Sequence, residues 1–157
     1  MSHLVELYVA ENELVSLEGL ENVPLLKKLH CRKNQIAKLV KIGALPAIEY
    51  LNLRENPIEN IKEAQHLKSL TTLKSLNIKA SPPAEELGDS VKKEILILLG
   101  NIKFTSINKV EVTKEDFQEA LEEKKERIKK EEELKLEAER LAKEQAEQKK
   151  EEEVKAE

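Results

Sequence analysis

Six residues in the first half of the chain could do recognition chemistry: Lys28, His30, Arg32, Tyr50, Arg54 and Lys79. Arg54 follows Arg32 by 22 residues and Lys79 follows Arg54 by 25, so a cation returns at a nearly constant interval. If the backbone repeats at that interval, these side chains form a basic column that an acidic helix or loop of a protein partner can select. The plainer alternative is a solvated face with ordinary charges. Covalent, metal and proton chemistry find less support. His3, His30 and His66 have no cysteine or second histidine at metal-ligand spacing. Cys31 is the only cysteine, so no intrachain disulfide can form, and its place among apolar residues reads as a packed thiol. Gly19, Gly43, Gly88 and Gly100 are isolated turn residues without a phosphate-loop pattern, and no serine sits in a nucleophile elbow. Carboxylates are plentiful, but nothing in their surroundings raises a pKa for acid catalysis. The expectation is a protein that is not an enzyme and uses no metal or cofactor.

The elements that must position the column are short and repeated. Leu4, Leu7, Val9 and Asn12 are matched by Leu26, Leu29, Cys31 and Asn34, then by Ile48, Leu51, Leu53 and Asn56. The asparagines stand 22 residues apart each time. An amphipathic helix would follow a period of about 3.6 residues and would not keep an Asn in fixed phase with an LxL segment. The pattern resembles the leucine-rich repeat, LxxLxLxxNxL. That resemblance implies a short parallel strand whose apolar residues face one interior, ended by an Asn bonding to loop backbone. The expected fold is an α/β leucine-rich repeat solenoid, a short parallel sheet of about four 22–25-residue repeats, with a C-terminal cap and a long charged α-helix. A fourth unit, Leu73, Leu76 and Ile78, has Ser81 where Asn is expected, and its three extra residues should make Glu63–Leu70 a longer helical turn. Outward strand positions then form two columns on the concave face: Tyr8, His30, Asn52, Asn77, and beside it Ala10, Arg32, Arg54, Lys79, flanked by Lys28 and Tyr50.

Ser81-Pro82-Pro83 stops the repeat, because proline removes a ladder donor. Ala84–Leu99 then reads as a cap helix with Asp89 or Ser90 as N-cap, and Ile102, Phe104 and Ile107 can face inward to plug the end of the stack. Thr113 with Asp116 resembles a capping box, and no Gly or Pro interrupts the chain beyond it. Pairs such as Glu123 with Arg127, and Glu131 with Lys135, suit a solvated single helix. Its apolar residues hold no sustained heptad; Phe117, Leu121 and Ile128 are assigned to contacts with a neighbour. From Val112 onward there are 17 acidic and 12 basic residues, against 14 and 15 before it, so the net charge of −4 belongs to the tail. The domains are read as repeats over 1–81, a cap over 82–111 and an extended helix over 112–157. The N-terminus lacks a signal-peptide core and no stretch is long and apolar enough to span a bilayer, so an intracellular protein without a membrane partner is expected.

More specific is the order within residues 48–130: LNLRENPIEN, a 25-residue step to LNIKASPPAEE, a cap helix, then VEVTKEDFQEALEEKKERIKKEEE. In this order the chain resembles the radial-spoke leucine-rich repeat proteins of motile cilia, the leucine-rich repeat-containing protein 23 family. The resemblance implies a structural role in the ciliary axoneme, with radial-spoke or other axonemal proteins as partners and the chain a monomer within their complex. It also implies repeats upstream of the one beginning at Leu4. Only Met1, Ser2 and His3 precede that repeat here, so Leu4, Leu7 and Val9 are expected at an edge covered by a partner, unless the chain is a shortened or incomplete member. Alternatives are a regulatory module of a phosphatase or dynein complex, or a nuclear histone- or RNP-binding repeat protein. Nucleic acid is disfavoured: residues 1–111 carry only about one net positive charge, Glu11, Glu49 and Glu55 interleave with the basic line, and no aromatic stacking platform is evident.

Overall fold

In a computed structural model describing residues 3–40, 42 and 45–156, the LxL segments become strands. These are β1 (Glu6–Tyr8), β2 (Lys28–His30), β3 (Tyr50–Asn52) and β4 (Ser75–Asn77), followed by β5 (Ser106–Ile107) and β6 (Val110–Glu111). They form one six-stranded sheet in sequence order, parallel from β1 to β5 and antiparallel at β6. Leu7, Leu29, Leu51, Leu76 and Ile107 lie side by side across it. Strand residues alternate between faces, so one in-register row is buried and its neighbours face out. Met1, Ser2 and the proposed turn residue Gly43 lie outside the described residues.

The asparagines explain why the repeat holds its phase. Asn34 donates through Nδ2 to the carbonyls of Cys31 (2.9 Å) and Val9 (2.9 Å), and its Oδ1 accepts from the Leu14 N–H (3.1 Å). Asn56 does the same one repeat later with Leu53 (3.0 Å), Cys31 (2.9 Å) and the Ile36 N–H (3.1 Å). Each therefore ends its own strand and satisfies buried backbone of the repeat before it. Ser81 keeps only the bond to the Ile78 carbonyl. The Ile58 N–H, with no fourth amide to reach, bonds the Asn56 carbonyl instead at 2.9 Å. The residue before each ladder position is left-handed: Glu11, Lys33, Glu55 and Ala80 have φ of 56°, 56°, 58° and 55°. That conformation is costly for a residue with a Cβ, and recurs because each turn is pinned by the same bonds.

On the other side of the core the first repeat has a 3₁₀ turn at Leu20–Asn22, and the lengthened fourth step has one at Ile61–Ser69. Its nine residues are the longer helical turn, tightened to 3₁₀, with the Asn60 side chain accepting from the Lys62 N–H and Ala64 and Leu67 buried.

The cap differs from expectation at its start. Pro82 and Pro83 end the repeat, but they also open a helix, α1 (Pro82–Leu87), at first-turn positions where a missing N–H costs nothing. A 3₁₀ turn, Gly88–Ser90, leads into α2 (Val91–Leu98). Of the two expected N-caps, Ser90 holds the position before α2 but makes no capping bond. Asp89 lies inside the 3₁₀ turn, and Ser90 is already helical, with no side-chain bond to the backbone. The chain enters α2 from a coiled turn, so no extended residue is placed to cap it. Ile102, Phe104 and Ile107 are buried as plugs. A tight turn with positive φ at Asn108 (51°) and Lys109 (65°) then joins β5 to β6, as a two-residue hairpin requires.

α3 (Lys114–Ala156) starts from a reciprocal cap. The Asp116 N–H donates to Thr113 Oγ1 (3.2 Å) and the Thr113 N–H to Asp116 Oδ2 (2.8 Å). Lys92 of α2 adds an ion pair at 2.8 Å, and its hydrogen bond is the main reason the Asp116 carboxyl is held below the usual range. The chain divides into two units, residues 1–121 and 122–157. In the first, Ala120 is buried and Phe117 half-buried against the core. In the second, residues 122–156 are helical and none is buried. Glu123–Arg127 (3.0 Å) and Glu131–Lys135 (2.8 Å) pair there as read from the sequence, joined by Arg140–Glu144 (3.7 Å).

Candidate functional site

The face of the sheet turned away from the core carries the residues singled out by their spacing. Strand register fixes two columns: Glu6, Lys28, Tyr50, Ser75 and Ser106, and beside it Tyr8, His30, Asn52 and Asn77. Lys28 pairs with Glu6 at 2.7 Å, and the Tyr8 hydroxyl donates to Glu6 at 3.0 Å, so both hold the Glu6 carboxyl below its ordinary pKa. Tyr8 stacks on His30 with centroids 4.2 Å apart and planes 11° from parallel, and His30 meets Tyr50 at 4.8 Å and 35°. Three strands thus contribute one ring each to an aromatic cluster, correcting the expectation that no stacking platform exists. It is hard to see in the sequence because Tyr8 and Tyr50 occupy different columns and meet the same histidine directly and diagonally. Burial depresses the His30 pKa, and its Nε2 is buried without a hydrogen-bond partner among the described residues.

Beyond the rings the floor is lower. Ser75 and Ser106 bond each other through their hydroxyls at 2.8 Å. Asn52 accepts from the Arg54 N–H (3.1 Å) and Asn77 from the Lys79 N–H (3.0 Å). Asn77, expected on the open face, is folded back and only 2% exposed. Its side chain therefore terminates its own strand and presents nothing to a partner.

The basic column forms, but its charge is unevenly spent. Glu55 accepts from Arg32 Nε at 3.0 Å and lies 3.1 Å from Arg54 Nε, so one carboxylate serves two guanidiniums. Arg32 is the main cause of the lowered Glu55 pKa. Arg54 Nε is buried and makes no hydrogen bond, and Lys79 is exposed with no ion-pair partner among the described residues. The uncompensated positive charge therefore collects at the Arg54–Lys79 end. An open groove of about 620 Å³ follows, lined by Lys79, Ala84, Asp89, Val91, Ile107 and Val110. Glu55 was read as interleaving with the basic line, but its reach to both arginines, Ser75, Ser106 and this groove were not anticipated. The register of β4 with β5 that builds them depends on a strand with no repeat signature.

The other assigned residues lie elsewhere. Leu7 in β1 and Leu4 and Val9 beside it are half-buried, whereas their equivalents Leu29, Leu26 and Cys31 are fully buried. Phe117 is partly spent on the core, while Leu121 and Ile128 are 52% and 47% exposed. Cys31 is fully buried and its thiol is pushed up to about 12 by desolvation. We expect it to resist a thiol-specific disulfide reagent at mildly alkaline pH while the protein is folded and to react once it is denatured; labelling can be read by mass spectrometry. Among the described residues there is no group of three or more His, Cys, Asp or Glu that could hold a metal ion, and no helix long and apolar enough to cross a membrane.

One-strand parallel repeats, an Asn ladder and a capped end define a leucine-rich repeat fold, followed in the chain by a helical C-terminal segment. The chain is similar in fold to a chain of the Drosophila melanogaster SNF/U2A′ complex, with a TM-score of 0.69 at 16% identity over 82% of this chain and 76% of that one. An internalin C2 from Listeria monocytogenes is also similar, with a TM-score of 0.47 at 21% identity over 66% of this chain and 51% of that one. No protein-family model and no curated protein sequence matches the chain.

Proposed function

We propose that the protein is a non-enzymatic adaptor, whose repeat unit docks a protein partner on its open face while the charged helix contacts a neighbouring subunit. The observation that carries this is the pre-organised cation line with too few carboxylates, built on strands whose side chains are fixed by the ladder. Charge placed on a rigid face favours orientation and choice of partner more than raw affinity. The order of elements in residues 48–130 supports a finer reading, a structural component of the ciliary axoneme and of its radial spoke.

A second reading, a repeat subunit of a nuclear ribonucleoprotein, is favoured by two observations. The fold is similar to a chain of the SNF/U2A′ complex, and the open face carries the Tyr8–His30–Tyr50 cluster. Fractionation of tagged protein from ciliated cells separates the two. Recovery with salt-extracted spokes, with cross-links to spoke subunits, is the expected result. Nuclear enrichment with small nuclear RNA would replace the axonemal reading by the second, and co-purification with a soluble phosphatase would replace it by a regulatory one.

A further inference from the structure

We infer that the open face takes an amphipathic helix crossing the strands, with acidic residues on Arg32, Arg54 and Lys79 and a large apolar residue in the groove beyond Lys79. This rests on the adaptor reading and specifies the partner's chemistry. Each of the three cations lies two residues past its strand, where the Lys33 and Glu55 N–H groups still bond the Arg54 and Lys79 carbonyls of the next repeat, hence at steps of about 4.8 Å and about 9.6 Å across the stack. Along an α-helix, residues i, i+3 and i+7 share one face and lie about 4.5 Å and about 10.5 Å apart. An extended peptide repeats a face only every 6.6–6.8 Å or about that, and falls out of step by the second cation. The spacing therefore selects a helix.

Charge and relief agree with it. Glu55 cannot neutralise both arginines, and Lys79 has no ion-pair partner among the described residues, so two or more carboxylates are accommodated without displacing an existing pair. Past the Tyr8–His30–Tyr50 cluster, Ser75, Ser106 and the folded-back Asn52 and Asn77 leave a shallow floor for a cylinder about 10 Å wide. The groove shares Lys79 with the cation line, and its apolar floor of Ala84, Val91, Ile107 and Val110 lies one step further along. Val110 is 54% exposed and suited to cover an apolar anchor. Nucleic acid would use the same cations and the exposed Tyr8 ring, and it is the alternative that the oligouridylate comparator below reads.

The test uses the full chain, ¹⁵N-labelled, titrated with an alanine-based helical peptide bearing glutamates at i, i+3 and i+7 and leucine one turn beyond. A scrambled peptide of the same composition and oligouridylate serve as comparators. The expected result is amide shifts confined to Arg32, Arg54, Lys79 and Val110, with binding about tenfold weaker for the scrambled peptide and for the Lys79→Glu variant. Lys79 is exposed, so this variant keeps its fold, which the unperturbed amides of β1 to β3 report. Equal binding of the two peptides on this face would overturn the helix spacing and leave the adaptor reading standing. Saturable binding of oligouridylate alone would replace both by the ribonucleoprotein reading, and no shift on this face with any probe would remove both.

Discussion

Replacing Asn56 by alanine should cost the fold about 4 kcal/mol, read as a lower midpoint in urea with an unchanged slope. The side chain is 2% exposed and answers three backbone groups: the Leu53 and Cys31 carbonyls and the Ile36 N–H. The Cys31 carbonyl keeps its bond from Asn34, but the Leu53 carbonyl and the Ile36 N–H lose theirs inside the core, and a buried polar group left unpaired costs about 1–3 kcal/mol. The same change at Asn12 is the control. That side chain is exposed and bonds only the Val9 and Ala10 carbonyls of its own turn, so the loss should stay below about 1 kcal/mol. Equal losses at the two sites would mean that the asparagines act through their own turns and not by joining repeats.

The second large effect is expected at Phe104. Removing its ring should cost about 3–5 kcal/mol, the range for a buried Phe cut to Ala. Phe104 is 3% exposed and, with Ile102 and Ile107, belongs to the buried core where the cap meets the last repeat. A solenoid core that loses its terminal cover exposes apolar residues of the next repeat. The variant should therefore also bind a hydrophobic dye before its main unfolding transition, while Leu121→Ala, at an exposed helix position, should do neither. A Phe104→Leu variant, which keeps most of the volume, should recover much of the loss. If it does not, the aromatic shape itself is needed.

The repeats were legible because the LxxLxLxxN phase ties strand, inward face and ladder residue together, and those three requirements leave few other sequences possible. The helix was legible from its capping box and the absence of breakers. What escaped reading depends on contacts between segments. Nothing near Ser106 marks it as a strand, since β5 is placed by Thr105 and Ser106 donating to the Lys74 carbonyl. Nothing local shows Asn77 turning inward, or Glu55 reaching two arginines on adjacent strands. The cations themselves were found by counting, but how much of their charge remains unspent is set by a carboxylate on a left-handed turn residue.

The ladder also bears on how such a protein can change over generations. Each asparagine completes the rung before it and asks nothing specific of the rung after, as Ile58 shows by finding another acceptor where Ser81 ends the series. A duplicated 22-residue segment would thus enter the stack with its own closure already encoded. Every such event would widen the open face by about 4.8 Å and add one member to each column. The length of the partner that can be read is then inherited as a whole number.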